Sequence, residues 1–138
     1  MTANVKKPHL LDSFALLAFL NRENGFANIR ELLHHARASD TPLLMNDINV
    51  GEVYYIIAKG RSLDKAEEFL RRLETLPIQC LGNTFQQVLE AAKVKAQFPL
   101  SYADAFVVAT AQRSQAIVVT GDPEFRAVSH LIEVLWLS

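Results

Sequence analysis

Short apolar runs of strand length alternate with longer amphipathic runs along this chain, and that rhythm constrains the fold more than any other feature. Residues 9–11 lead into a helix-length stretch at 14–20, and Phe26, Ile29, Leu33 and Ala36 then recur at helical spacing. Leu43, Leu44 and Met45 read as a second strand before a helical run over 46–59, which Gly60 is expected to end. A charged helix over 62–75 starts with Ser62, Asp64 and Glu67. Residues 77–81 form a third strand, and the helix that follows shows an apolar face of Phe85, Val88, Leu89, Ala92 and Ala96 before Pro99 stops it. A buried helix over 101–114 and the β-branched strand at 116–120 come next, with an edge or terminal strand over 132–137. Strands alternating with helices predict an α/β fold, a small parallel sheet with helices on both faces. No repeat, linker or low-complexity segment interrupts the pattern, so a single domain over 1–138 is expected.

Composition narrows the class. Half of the 138 residues are hydrophobic, which supports a buried core and excludes global disorder. With 14 Lys plus Arg against 15 Asp plus Glu, no overall field attracts a polyanion, so any nucleic-acid contact must be local. The single Cys80 excludes an internal disulfide framework and a cysteine-based zinc cluster, and suits a reducing cytoplasm. The apolar run after Lys6 and Lys7 is broken by Asp12 and Ser13, so no secretion leader is expected. No stretch approaches the roughly 20 apolar residues of a membrane helix.

Four acids occupy informative positions. Asp12 ends the first strand, Asp122 follows the fourth, Asp104 lies in the first turn of the helix over 101–114, and Glu52 lies in the helix after the second strand. Three of them also read as helix caps: Asp12 with Ser13, Asp104 as the acid of a capping box begun by Ser101, and Asp122 before Pro123. Glu52 reads as a solvated surface acid, although its neighbours are mostly apolar and Asn49 shares its helix face. The joint reading is different. In a parallel sheet the residues just past the strands, and the first turns of the helices that follow, gather at one edge. Carboxylates crowded there repel one another and resist desolvation, so they call for a cation. Oxygen-only ligands select Mg²⁺ or Mn²⁺ over zinc, and such a site suits metal-assisted hydrolysis of a phosphodiester.

The segments that carry these acids are Leu10-Leu11-Asp12-Ser13, Asn49-Val50-Gly51-Glu52-Val53-Tyr54-Tyr55, Ser101-Tyr102-Ala103-Asp104-Ala105 and Thr120-Gly121-Asp122-Pro123-Glu124-Phe125. In this order they resemble the successive motifs of PIN-domain ribonucleases, and most of all the VapC-type toxins of prokaryotic toxin–antitoxin pairs. The resemblance spans residues 9 to 125. It implies a PIN-like fold and a metal-dependent endoribonuclease whose acidic quartet Asp12, Glu52, Asp104 and Asp122 holds Mg²⁺, or Mn²⁺ in its place. It further implies supporting roles for Asn49, Thr120 and Ser13, with Glu124 at a position often acidic in the family and held in reserve. The implied biology is a cytoplasmic homodimer that cleaves structured cellular RNA (tRNA or ribosomal RNA), inhibits translation and is neutralised by a cognate antitoxin. Pro123 is a mild variation that stiffens the turn after Asp122.

Rival chemistries fit less well. An aspartyl-phosphate phosphotransferase would place a second Asp where Phe14 stands and a Lys near Asp122, where none lies. A binding module without catalysis would have no reason to tolerate four crowded carboxylates. Adjacent His34 and His35 point about 100° apart on a helix and cannot chelate one ion together, so a surface or dimer contact is expected of them. His9 and His130 lack ligand spacing. Arg126, just past the Asp122 turn, is the favoured phosphate contact, while Lys59 and Arg61 fall on the far side. Of Tyr54, Tyr55 and Tyr102, at least two are expected to pack inside. Phe14, Leu17, Phe19, Leu20 and Phe26 together exceed what one sheet face covers, and part of this set is expected to form a dimer or antitoxin groove.

Overall fold

The computed structural model describes residues 7–138; residues 1–6, on which the leader reading partly rests, lie outside the described residues. Five strands form one all-parallel sheet: β1 (His9–Leu11), β2 (Leu43–Asn46), β3 (Ile78–Leu81), β4 (Ile117–Thr120) and β5 (Glu133–Trp136), in the order β3-β2-β1-β4-β5. Six α-helices cover it: α1 (Ser13–Leu20), α2 (Phe26–Ser39), α3 (Asp47–Gly60), α4 (Leu63–Leu73), α5 (Phe85–Gln97) and α6 (Tyr102–Ser114), and a 3₁₀ segment spans Pro123–Val128.

Both sheet faces are buried, which explains the continuous apolar runs in the central strands. Side chains alternate between two cores. Leu11, Met45 and Val119 join Leu16, Phe19, Ile29, Val53 and Phe69 on the α1–α4 face. Leu10 and Val118 join Val107, Val108, Phe125 and Val128 on the α6 face. The outer strands β3 and β5 are half-exposed, as edges are.

The order of the strands decides where chemistry can occur. From β1 the chain builds outward through β2 to β3, then returns to place β4 on the other side of β1, with Leu11 in register with Val119. That reversal is the topological switch point, and a crevice opens there at the carboxyl ends of the strands. Asp12 follows β1 directly, its amide donating to the Val119 carbonyl at 3.5 Å, and Asp122 follows β4.

Local details differ from expectation in four places. α3 ends at Gly60 as expected, but Gly60 is its last helical residue without a positive φ and Arg61 is the C-cap; the positive φ belongs to Gly25 (φ 98°), at the start of α2, where a Cβ would meet Leu137. The charged helix is shorter than 62–75, because Ser62 caps it from outside and it ends at Leu73. The turn after Asp122 closes as 3₁₀ rather than α. Of the three tyrosines only Tyr54 packs against a core, while Tyr55 and Tyr102 stand exposed.

Candidate functional site

Each acid reaches the switch-point edge by a different local device. Asp12 is the N-cap of α1: its Oδ1 accepts the Ala15 amide at 2.8 Å, and its Oδ2 accepts the Thr120 hydroxyl at 2.5 Å. The Thr120 hydroxyl oxygen in turn accepts the Asp122 amide at 2.9 Å, so one side chain ties the ends of β1 and β4 together. Asp122 caps the 3₁₀ segment through its Oδ1, which accepts the Glu124 amide at 2.9 Å.

Asp104 stands in the first turn of α6, where Ser101 Oγ accepts its amide at 3.1 Å. In a complete capping box the Asp104 carboxylate would reach back to the Ser101 amide. Here Glu124 Oε1 accepts that amide instead, at 3.3 Å. The exchange frees the Asp104 carboxylate to face the other acids. One carboxylate oxygen from each of Asp104, Asp122 and Glu124 lies within 4.8 Å of the others.

Glu52 and Asn49 approach from α3. Asn49 is fully buried, and its Nδ2 donates to the Ala103 carbonyl at 3.1 Å, tying α3 to the start of α6. Asn49 Oδ1 and Glu52 Oε1 are both buried without a hydrogen-bond partner. Ser13, buried at the start of α1, lies beside Asp12 in the chain.

The electrostatics follow from this crowding. Burial is the main cause that pushes the Asp12 carboxyl up to about 7; the Thr120 and Ala15 hydrogen bonds oppose it, and repulsion from Asp104 and Asp122 adds to it. Burial also leads for Asp104, again up to about 7, with Asp122, Glu52 and Glu124 adding repulsion and the Ser101 bond opposing. Asp104 thus feels three other carboxylates, and Asp12 feels two. A buried carboxylate oxygen without a donor, beside acids held above their ordinary range, fits a bound cation. The donors are all hard oxygens, the chemistry that Mg²⁺ and Mn²⁺ prefer.

Asp104 and Asp122 are therefore brought together with Glu124, which the sequence left in reserve. Its signal was its place two residues past Asp122, in a turn short enough to fold back towards α6. Asp12 and Glu52 border this trio: Asp12 feels the charge of Asp104 and Asp122, and Glu52 adds to the repulsion on Asp104. Arg126 lies over the Trp136 ring, 5.9 Å from its centroid, at the β5 side. His34 and His35 are exposed on α2.

The fold has close counterparts. The DNA-bound VapBC structure from Salmonella typhimurium contains a chain that superposes with a TM-score of 0.73 at 16% identity, covering 94% of this chain and 98% of that one. A chain of VapBC2 from Rickettsia felis, bound to a DNA fragment from its promoter, gives 0.71 at 13% identity, with the same coverages of 94% and 98%. Mycobacterium tuberculosis VapC20, described as a sarcin–ricin loop cleaving toxin, gives 0.65 at 16% identity, covering 87% and 94%. Among curated proteins none matches in sequence. The PIN domain family matches residues 9–131, a stretch that begins with β1 and takes in all four acids and Glu124, and the chain belongs to that family.

Proposed function

We propose that this protein is a divalent-cation-dependent endoribonuclease, the toxin of a type II toxin–antitoxin pair, cutting phosphodiester bonds of tRNA or ribosomal RNA in a prokaryotic cytoplasm. The observation that carries this reading is the buried, unpartnered Glu52 Oε1 beside the Asp104, Asp122 and Glu124 carboxylates at the switch point. Membership of the PIN domain family and the toxin folds it resembles support the same reading.

In this mechanism Asp12, Glu52, Asp104 and Asp122 would hold Mg²⁺ or Mn²⁺, with Glu124, whose carboxylate lies with those of Asp104 and Asp122, beside them. When bound, the cation neutralises charge on the scissile phosphate and lowers the pKa of the attacking water. Thr120 fixes the Asp12 carboxylate and the Asp122 backbone in one orientation, while Asn49 holds the Glu52 face of α3 against α6. The start of α6 turns its positive end towards this cluster and eases the gathering of negative oxygens.

The antitoxin has a suitable seat away from the acids. A groove of about 560 Å³ is lined by apolar Leu17, Leu20 and Phe69 and by cationic Arg22, Arg61 and Arg72, and an amphipathic segment with acidic side chains complements it. Exposed Ile48 and Tyr55 on α3 and Phe85 and Leu89 on α5 supply apolar area for a second copy of the chain.

Sequencing RNA 5′ ends after brief induction tests the activity. Discrete new ends that vanish with Asp104→Asn are expected; identical 5′ ends from the two proteins would overturn the assignment.

A further inference from the structure

Phe14 is out of place for a structural residue. It is the second residue of α1, and every other residue of that first turn is buried, yet Phe14 is 42% exposed. Its ring lies on the backbone of Gly121, where an ideal Cβ would stand 2.9 Å from the ring Cζ and closer still to Cε1. Gly121 separates Thr120 from Asp122, so the absent Cβ lets an aromatic ring settle on the seam between the β1 and β4 ends, beside the acids.

Neither a segment docked in the apolar groove nor a neighbouring side chain accounts for the open ring. Phe14 does not line the groove of Leu17, Leu20 and Phe69, so a segment seated there leaves it uncovered. The remaining exposed aromatics near this edge are already engaged: Tyr102 packs on Phe106 with ring centroids 5.0 Å apart, and Arg126 lies over Trp136. No aromatic or cationic side chain among the described residues covers Phe14. An open aromatic ring seated on Gly121, next to the acidic cluster, matches an unpaired nucleobase, since bases of any identity stack on aromatic rings.

Resting on the ribonuclease reading of the acidic site, we propose that Phe14 is a stacking platform for the nucleobase adjoining the scissile phosphate, and so selects unpaired over helical RNA. Gly121 sets the height of that platform.

The test uses the full chain carrying Asp104→Asn, titrated in millimolar Mg²⁺ with a single-stranded oligoribonucleotide containing 2-aminopurine. Binding is expected to quench the probe. Adding Phe14→Leu, which keeps an apolar side chain but removes the π-face, should abolish the quench and weaken binding about tenfold, within the range measured for base–aromatic contacts. Phe14→Tyr should retain both. With Asp104 restored, Phe14→Leu should raise KM by a similar factor with kcat near that of the parent, and its melting curve should match the parent's. Undiminished quenching and affinity in Phe14→Leu would overturn the platform while leaving RNA cleavage by the parent intact. Conversely, a parent that cuts no RNA, yet stacks the probe through Phe14, would remove the nuclease reading and keep the platform.

Discussion

Thr120 uses its hydroxyl twice, donating to Asp12 and accepting from the Asp122 amide, and both partners belong to the candidate site. Thr120→Val keeps the shape and leaves Asp12 Oδ2 without its donor, so a loss of about 1–3 kcal/mol in urea unfolding is expected. The same variant should lift the Asp12 carboxyl further, because that hydrogen bond is the larger of the two that oppose burial. The raised acids also predict a pH dependence with a definite sign. Asp12 and Asp104 bind protons more tightly folded, at about 7, than at the ordinary 3.8. Their contribution is complete below the unfolded value and is lost as pH rises through the folded one. In chelator the melting temperature should therefore fall between about pH 4 and pH 7 and level off above that. Millimolar Mg²⁺ or Mn²⁺ should restore it most at the alkaline end, and Asp104→Asn should blunt both effects. A melting temperature indifferent to cations across that range would count against the site. Glu124 shows what was hard to read at this scale. Its role in capping α6 depends on a turn meeting a helix start 23 residues earlier in the chain.

At the scale of elements, periodicity was sufficient for the strands and helices and insufficient for their ends. The β-branched run of β4 stood out because burial imposes a period on every residue, whereas the apolar residues read as one face of α5 are largely open, with Phe85 and Leu89 exposed and Ala91 buried in their place. Ends depend instead on a few polar atoms. α3 ends at Gly60 without the positive φ of a glycine cap, leaving Arg61 as the C-cap, and Asp122 begins a 3₁₀ turn because its carboxylate accepts the amide two residues on. Asn46 is the end that mattered most and had no distinctive sequence signal. Fully buried as the last residue of β2, it caps α3 by accepting the Ile48 amide at 2.9 Å and exchanges amide hydrogen bonds with Asn83 at 2.8 and 3.0 Å. It also donates to Thr110 on α6 at 3.0 Å. Asn46→Ala strands Asn83, and chemical denaturation should show a loss of at least about 1–3 kcal/mol. A loss below a few tenths would mean that water replaces the network.

For the molecule as a whole, strand–helix alternation indicated a parallel sheet and a carboxyl edge, but not the order of the strands. Pairing is non-local, and the run of apolar residues in β1 fits beside several partners equally well. The order explains why Asp12 and Asp122, 110 positions apart in the chain, border one crevice. Induced expression in a bacterial host should arrest growth, and Asp122→Asn, which preserves side-chain volume, should relieve the arrest. Equal arrest by both would separate toxicity from the acids.

The insertion of β4 beside β1 also sets a timetable. Translation supplies β1, β2 and β3 first, together with Asp12 and Glu52, while Asp122 and the strand that carries it emerge only in the last fifth of the chain. A growing polypeptide on the ribosome therefore lacks a complete set of acids until β4 has left the exit tunnel and docked, so the candidate site closes only after most of the chain has been made.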